Sequence, residues 1–334
     1  MGHKNIPTTD TEAFSSFVQG RALFNSYLAT GRGEELRQAR DRFTAATVRD
    51  SDFDIARLYL AATQTELRES DAAIPNLGRL IERNRYLPEA RIQLAYAHIK
   101  QYRDYAKAAE ELDKAADAVR NAKKKDLVDL VEAYRVFFLA VRGGRGTRDP
   151  VEKKRYLLNA VSAGEQLLTR WRDQKKSSTE KLTIQFEVQN ALGIAFMWLG
   201  ESFPLESDSA SRWNNAEANF RIALTLRPKS VRPLQNMGLL RMMQGDRQEG
   251  DPVKARDLYE EAKRFVLESL ALNSFDQYPH FQMALLSVKT QDWPGATKFV
   301  EAGKKEKGTI PPDTWASIEQ AIATQDPAKI RTFR

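Results

Sequence analysis

Residues 189–200 read QNALGIAFMWLG and residues 213–228 read WNNAEANFRIALTLRP. In both segments apolar side chains recur every three or four residues, the spacing of one helix face, without the alternation of a strand. In the first, Leu192 and the small Gly193 precede Phe196; in the second, Ala216, Phe220 and Ala223 lead to a closing Pro228. A glycine on one helix and alanines flanking an aromatic on the next suit two helices packed at short range, small side chains on one receiving bulky ones from the other.

The same internal spacing recurs along the chain. Leu60, Ala61 and Gln64 precede Ala73, Leu77 and Leu80, and Leu94, Ala95 and His98 precede Ala108, Leu112 and Ala115. Met237, Gly238 and Arg241 precede Ala262, Val266 and Ser269; Met283, Ala284 and Ser287 precede Ala296, Val300 and Gly303; an opening unit supplies Ala39, Phe43 and Ala46. The closing positions Ser51, Arg85 and Arg120 are 34 and 35 residues apart, and Ser274 and Gly308 again 34. Self-similarity at this period marks stacked helix pairs that share one extended core. Glycine and proline fall between the helical runs, as in Gly143-Gly144-Arg145-Gly146 and Gly250-Asp251-Pro252.

The pattern resembles the tetratricopeptide repeat, W-x2-L-G-x2-Y followed by A-x3-F and a closing Pro, with Gln189 in place of the aromatic. The resemblance implies an all-α, right-handed superhelical solenoid of antiparallel helix pairs. Units are expected at about 13–53, 54–87, 88–122, 126–176, 180–229, 231–274 and 277–310, the fourth degenerate because it lacks a clear small-residue signature. A capping helix with an aspartate cap is expected at 313–323, its apolar side formed by Trp315, Ile318 and Ile322, with tails at 1–12 and 324–334.

At 42% hydrophobic and 29% charged residues, the 334-residue chain has the balance of a folded, soluble protein. It contains no cysteine, which excludes disulfides, thiolate metal sites and cysteine nucleophiles and points to a reducing cytoplasm. No stretch approaches ~18 uninterrupted apolar residues, so no membrane insertion is expected. The histidines are His3, His98 and His280, one in the tail and two at repeat positions. They offer neither a catalytic triad nor a metal-ligand spacing, and no enzyme activity or cofactor is expected. The Gly143-to-Arg148 run lacks the G-x4-G-K-[ST] order and a preceding strand, so it is not read as a nucleotide loop.

In tetratricopeptide arrays the first helices line the concave surface, and certain of their positions meet the ligand. Carried over by resemblance, these are Ile92, Tyr96 and Ile99; Asn190, Ile194, Met197 and Trp198; Gln235, Asn236, Leu239 and Met242; and Tyr278, Phe281 and Leu285. So apolar a lining suits a hydrophobic peptide or amphipathic helix of a partner protein. The competing assignment is that these side chains pack between neighbouring first helices. The carboxylate clamp of some members is not reproduced. Asn236 fits its middle position, but Asn190 and Ile194 stand where Lys and Asn belong, and Tyr278 and Gln282 where two cations belong.

Two further surfaces are expected. Extended turns at 30–33, 143–150, 201–212 and 245–252 are all of the kind that joins the two helices of a unit, and would emerge on a common edge. The net charge of +7 is concentrated in residues 120–176, which carry 15 basic side chains against 7 acidic. Lys123, Lys124, Lys125, Arg142, Arg145, Arg148, Lys175 and Lys176, interleaved with Tyr134, Tyr156 and Trp171, offer nucleic acid or an acidic protein a basic patch. The sequence thus favours a non-enzymatic adaptor or scaffold whose groove binds a protein segment. Binding through the basic block, or service as the regulatory repeat half of a larger effector, are the alternatives.

Overall fold

The computed structural model describes residues 8–122, 125–172, 179–206, 208–248, 250–306, 308 and 310–330. Among them the chain forms fifteen α-helices and no strand. In order these are α1 (Thr11–Thr30), α2 (Gly33–Arg49), α3 (Asp54–Glu66), α4 (Ser70–Glu82), α5 (Leu87–Ala97), α6 (Tyr105–Ala122), α7 (Lys125–Val141) and α8 (Pro150–Arg172). They continue with α9 (Thr179–Ser202), α10 (Ser209–Leu226), α11 (Val231–Asp246), α12 (Pro252–Leu272), α13 (Gln277–Lys289), α14 (Trp293–Lys305) and α15 (Pro312–Thr324). Wide π-turns follow α5 at His98–Tyr102 and α7 at Arg142–Gly146. No described helix is long and apolar enough to cross a membrane.

The chain divides into two compact units, one of Met1–Phe138 with Glu165–Ile184, the other of Leu139–Gly164 with Gln185–Arg334. Within the first, each helix from α1 to α5 packs on its successor, and α1 meets α3 and α3 meets α5. Within the second, the succession runs from α10 to α15, with α11 on α13 and α13 on α15. Contact with the next helix and with the next but one is the signature of helical-repeat packing, and each unit is an all-α stack of this kind.

Local sequence explains where helices start. Asp10 accepts hydrogen bonds from the backbone N–H groups of Glu12 and Ala13, and α1 ends at Gly31, whose φ of 71° lies in the left-handed region glycine adopts without strain. Asp251 caps α12 ahead of Pro252, and Asp292 caps α14 ahead of Pro294, an order that satisfies a free N–H and presets φ. The capping helix departs from expectation. It begins at Pro312 with Pro311 as the residue before it, and Asp313 lies in its first turn without acting as the cap. Proline presets the helical φ there, and the Asp313 carboxylate faces the positive end of the helix dipole. Trp315, Ile318 and Ala321 form its buried side.

Packing explains the small residues. A Cβ placed on Gly193 would lie 2.4 Å from Cε1 of Phe220; on Gly238 it would lie 2.5 Å from Cγ2 of Val266. One helical heptad later the contact repeats, Gly200 against Trp213 at 2.3 Å and Gly245 against Tyr259 at 2.5 Å. Helix pairs thus close along two glycine notches seven residues apart, each filled by a large side chain of the partner helix. The first unit uses the same device where Gly20 meets the ring of fully buried Phe43.

Candidate functional site

The first-helix positions fall into two groups. In the first unit Ile92 packs with Ala115, Val119 and Val131, while the buried ring of Tyr96 lies 5.8 Å from Tyr134 and 5.7 Å from Phe137. Ile99 is buried as well. Side chains of α7 cover Ile92 and Tyr96.

In the second unit, Asn190, Ile194 and Met197 of α9, Gln235, Leu239 and Met242 of α11, and Phe281 and Leu285 of α13 are buried. Trp198, Asn236 and Tyr278 stay partly exposed. A line of amides joins the three helices. Asn236 donates from Nδ2 to Oδ1 of Asn190 at 3.1 Å, Gln282 donates to the backbone oxygen of Gln235 at 2.9 Å, and Gln235 donates to Asp276 at 3.3 Å. Buried polar groups hold their place only through such partners, and these pin the helices in register. Beside them Arg232 grips buried Glu187 with two bonds, of 2.9 and 2.6 Å, an ion pair that no sequence spacing announces.

The π-turn after α7 brings the two sequence-derived surfaces together. Gly143 and Gly144 are buried, and a Cβ on Gly144 would lie 2.3 Å from Cδ1 of Trp198, so only glycine lets the backbone rest against the indole. Arg145, assigned from sequence to the basic patch, lies over both partly exposed aromatics. Its guanidinium is 6.0 Å from the Trp198 ring centroid and 5.2 Å from that of Tyr278, and its Nη2 donates to the Tyr278 hydroxyl at 2.8 Å. The Lys153 ammonium is 5.6 Å from the Trp198 centroid and 3.4 Å from the backbone oxygen of Gly144. Burial pushes its pKa below the ordinary lysine value, with Glu201 opposing.

The rest of the basic block is distributed differently from the expectation of one patch. Lys123, Lys124, Lys175 and Lys176 lie outside the described residues, as does the side chain of Lys125. Arg142 stacks on Tyr156 at 4.5 Å, Arg170 pairs with Asp129 and Glu132, and Lys154 pairs with Glu206 at 2.5 Å. Arg148 is exposed. The aromatics proposed to interleave are engaged by their own chain: Trp171 donates to Asp129 at 2.7 Å, and Tyr134 packs on Tyr96. The block also divides between the two units, with residues 139–164 alone in the second.

The turns are less uniform than expected. Only residues 31 and 32 separate α1 from α2, so the first is a tight connection. In the second unit neighbouring turns are tied by ion pairs, Arg247 with Glu201 and Lys289 with Asp246, and Leu205 projects fully exposed between α9 and α10. His98 opens the π-turn after α5, where burial lowers its pKa against the opposing pull of Asp104. His280 meets the backbone oxygen of Ser274 at 3.0 Å. Among the described residues no cluster of His, Asp and Glu is placed to hold a metal.

No protein-family model matches the sequence, and no curated protein matches it. Among solved structures, the crystal structure of yeast Tom70 aligns over 95% of this chain and 66% of its own, at 13% identity and a TM-score of 0.37. The TPR2AB domain of yeast Sti1 in its pHSP90 complex aligns over 95% and 98%, at 13% identity and a TM-score of 0.28. The P58(IPK) TPR domain aligns over 94% and 97%, at 14% identity and a TM-score of 0.28. At such scores the fold rests on the chain's own repeat: paired helices, small residues at the fixed spacing, and bulky partners seated in them, which make this an all-α helical-repeat protein.

Proposed function

We propose that this protein is a non-enzymatic interaction module that binds a segment of a partner protein on the inner helices of its second unit, at Trp198 and Tyr278. One observation carries the reading. Among the groove positions suggested by the repeat, these two aromatics keep accessible surface, and Arg145, 133 residues before Tyr278, already bridges them. Partly exposed aromatics fixed on rigid helices give large contact area at little entropic loss, and such residues dominate interface energies. The amide hydrogen bonds that tie α9, α11 and α13 together support a surface formed before a partner arrives. The absence of cysteine suits work in the cytoplasm.

The test is retention of a discrete partner from a lysate of the source cells at high salt, compared with Trp198→Ala and Tyr278→Ala proteins of unchanged helical content. Loss of that partner in both variants is the expected result. Equal retention by wild type and variants removes this face from consideration. Release of the partner as salt rises, with no effect of either variant, would move the function to the cations of the basic block.

A further inference from the structure

We infer that the partner segment presents an arginine, and that Arg145 holds the seat of that side chain between Trp198 and Tyr278 until the partner displaces it. This assignment rests on the reading above for the place of binding and adds the chemistry of the ligand.

The aromatic surface is already filled by the group it suits. The Arg145 guanidinium is 6.0 Å from the Trp198 centroid and 5.2 Å from that of Tyr278, and Nη2 donates to the Tyr278 hydroxyl at 2.8 Å. One planar cation thus meets two rings and a hydroxyl oxygen at once. Aromatic faces carry partial negative charge, so they draw cations and turn carboxylates away. The same indole also draws the Lys153 ammonium, at 5.6 Å. An ammonium is a compact, strongly hydrated point charge, whereas a guanidinium is flat, weakly hydrated and carries its N–H donors in a rigid fork. Of the two, only the guanidinium matches a pair of rings with a hydroxyl at the edge.

Arg145 is held there lightly. It is exposed, while the two rings beneath it are half-buried. Among the described residues it has no carboxylate partner, and its one hydrogen bond goes to the neutral Tyr278 hydroxyl. Other arginines of the same unit are tied by carboxylates: Arg232 by Glu187, Arg212 by Glu206 and Asp208, Arg241 by Glu217 and Glu261. Withdrawing any of those breaks an ion pair; withdrawing Arg145 breaks none. The turn that carries it stays in place, because Gly143 and Gly144 are buried against Leu157 and Trp198, and only the exposed side chain has to rotate into water. Exchange of one guanidinium for another leaves the charge over the rings unchanged. A carboxylate would instead leave Arg145 where it is and bind outside it. The two ligands therefore respond in opposite directions to removal of Arg145, which obstructs an arginine and is indispensable to an acid.

The experiment follows the indole N–H resonance of Trp198, assigned by its absence from Trp198→Phe, while the full chain is titrated with a capped pentapeptide, Ala-Leu-Arg-Leu-Ala, and with its Lys, citrulline and Glu counterparts. The Arg peptide should bind about fivefold more tightly than the citrulline peptide, which keeps the shape without the charge. Arg145→Ala, with unchanged circular dichroism, should bind the Arg peptide about fivefold more tightly than wild type does, because the seat is vacated, and Arg145→Gln should gain as well. An Arg peptide that leaves the resonance of Arg145→Ala unmoved, that binds this variant no more tightly than wild type, or that is matched by the citrulline or Lys peptide overturns the inference. A Glu peptide that binds wild type best and is lost in Arg145→Ala overturns it too, since that is the mark of an acidic partner. Salt-resistant partner capture that depends on Trp198, together with failure of the Arg peptide, would sink this inference alone; capture indifferent to both Trp198 and Tyr278 would sink it along with the reading beneath it.

Discussion

Replacing Gly193 by alanine tests the packing from which the fold was read. Two opposed effects set its magnitude. Alanine in a helix interior is favoured over glycine by about 0.8–1 kcal/mol. The new methyl, however, would sit 2.4–2.5 Å from two atoms of the Phe220 ring, well inside contact distance, and Phe220 is fully buried with no route of escape. Overpacking of this kind costs roughly 1–3 kcal/mol, so the net expectation is destabilisation of about 0–2 kcal/mol. Gly78 in α4 supplies the control, because a Cβ there meets nothing within 4 Å. Gly78→Ala should therefore stabilise by about 1 kcal/mol, or roughly 2–4 °C in a unit of this size. The two glycines lie in different units, so hydrogen exchange resolved by peptide, reporting α4 separately from α9 and α10, is the suitable assay. A double variant, Gly193→Ala with Phe220→Leu, should recover part of the loss by a coupling that simple addition of the two singles misses. If Gly193→Ala protects α9 and α10 as well as Gly78→Ala protects α4, the close-approach reasoning is refuted.

Arg232→Ala should destabilise the second unit by about 3 kcal/mol in a denaturant titration, since it leaves buried Glu187 with Arg227 at 4.0 Å as a poor replacement. Asp10 has its pKa lowered, first by the Ala13 N–H bond and then by Arg49; the stability it lends α1 is therefore present above the unfolded carboxyl value and drains as pH falls through the depressed one. Exchange of the α1 amides should rise on acidification below about pH 4 in wild type and be less pH-dependent in Asp10→Asn. Gly144→Ala should push the π-turn off Trp198, and in a chain whose other tryptophans are Phe, acrylamide should quench Trp198 more strongly than in the parent. Unchanged quenching would mean that the turn does not rest on the indole.

Fold class was legible because the repeat is written in residue size. Gly193, Ala216, Phe220 and Ala223 carry it in one unit, and the structure buries them all. The fourth pair was harder to read because its notch lies elsewhere. Gly143, in the turn beyond α7, receives Leu157, as Gly200 receives Trp213. The same seven-residue offset then places Val136 where other first helices carry glycine and Gly164 where other second helices carry the bulky residue. A search for small residues at the usual position therefore fails there. The candidate groove was legible only as a set of helix positions. Nothing in the spacing of Tyr96 distinguishes a groove residue from one covered by Tyr134 and Phe137, because exposure depends on the neighbouring helix.

Sequence separated an apolar groove from a basic block and treated them as rivals, a division that assumes residues far apart in the chain serve different surfaces. Arg145 breaks that assumption. Through its bond to Tyr278 and its place over Trp198, the cation belongs to the aromatic surface it was set against. A charge on an aromatic platform is worth more than one in open solvent, since the rings exclude water and the helices fix the geometry. It follows that salt dependence alone cannot discriminate between the two modes in the second unit: a partner that seats apolar side chains beside Trp198 must also meet or displace Arg145. The discriminating variable is the residue, with Trp198→Ala removing the platform and Arg145→Gln removing only its charge. If both changes weaken binding, and their effects fail to add, the platform and the charge act as one site.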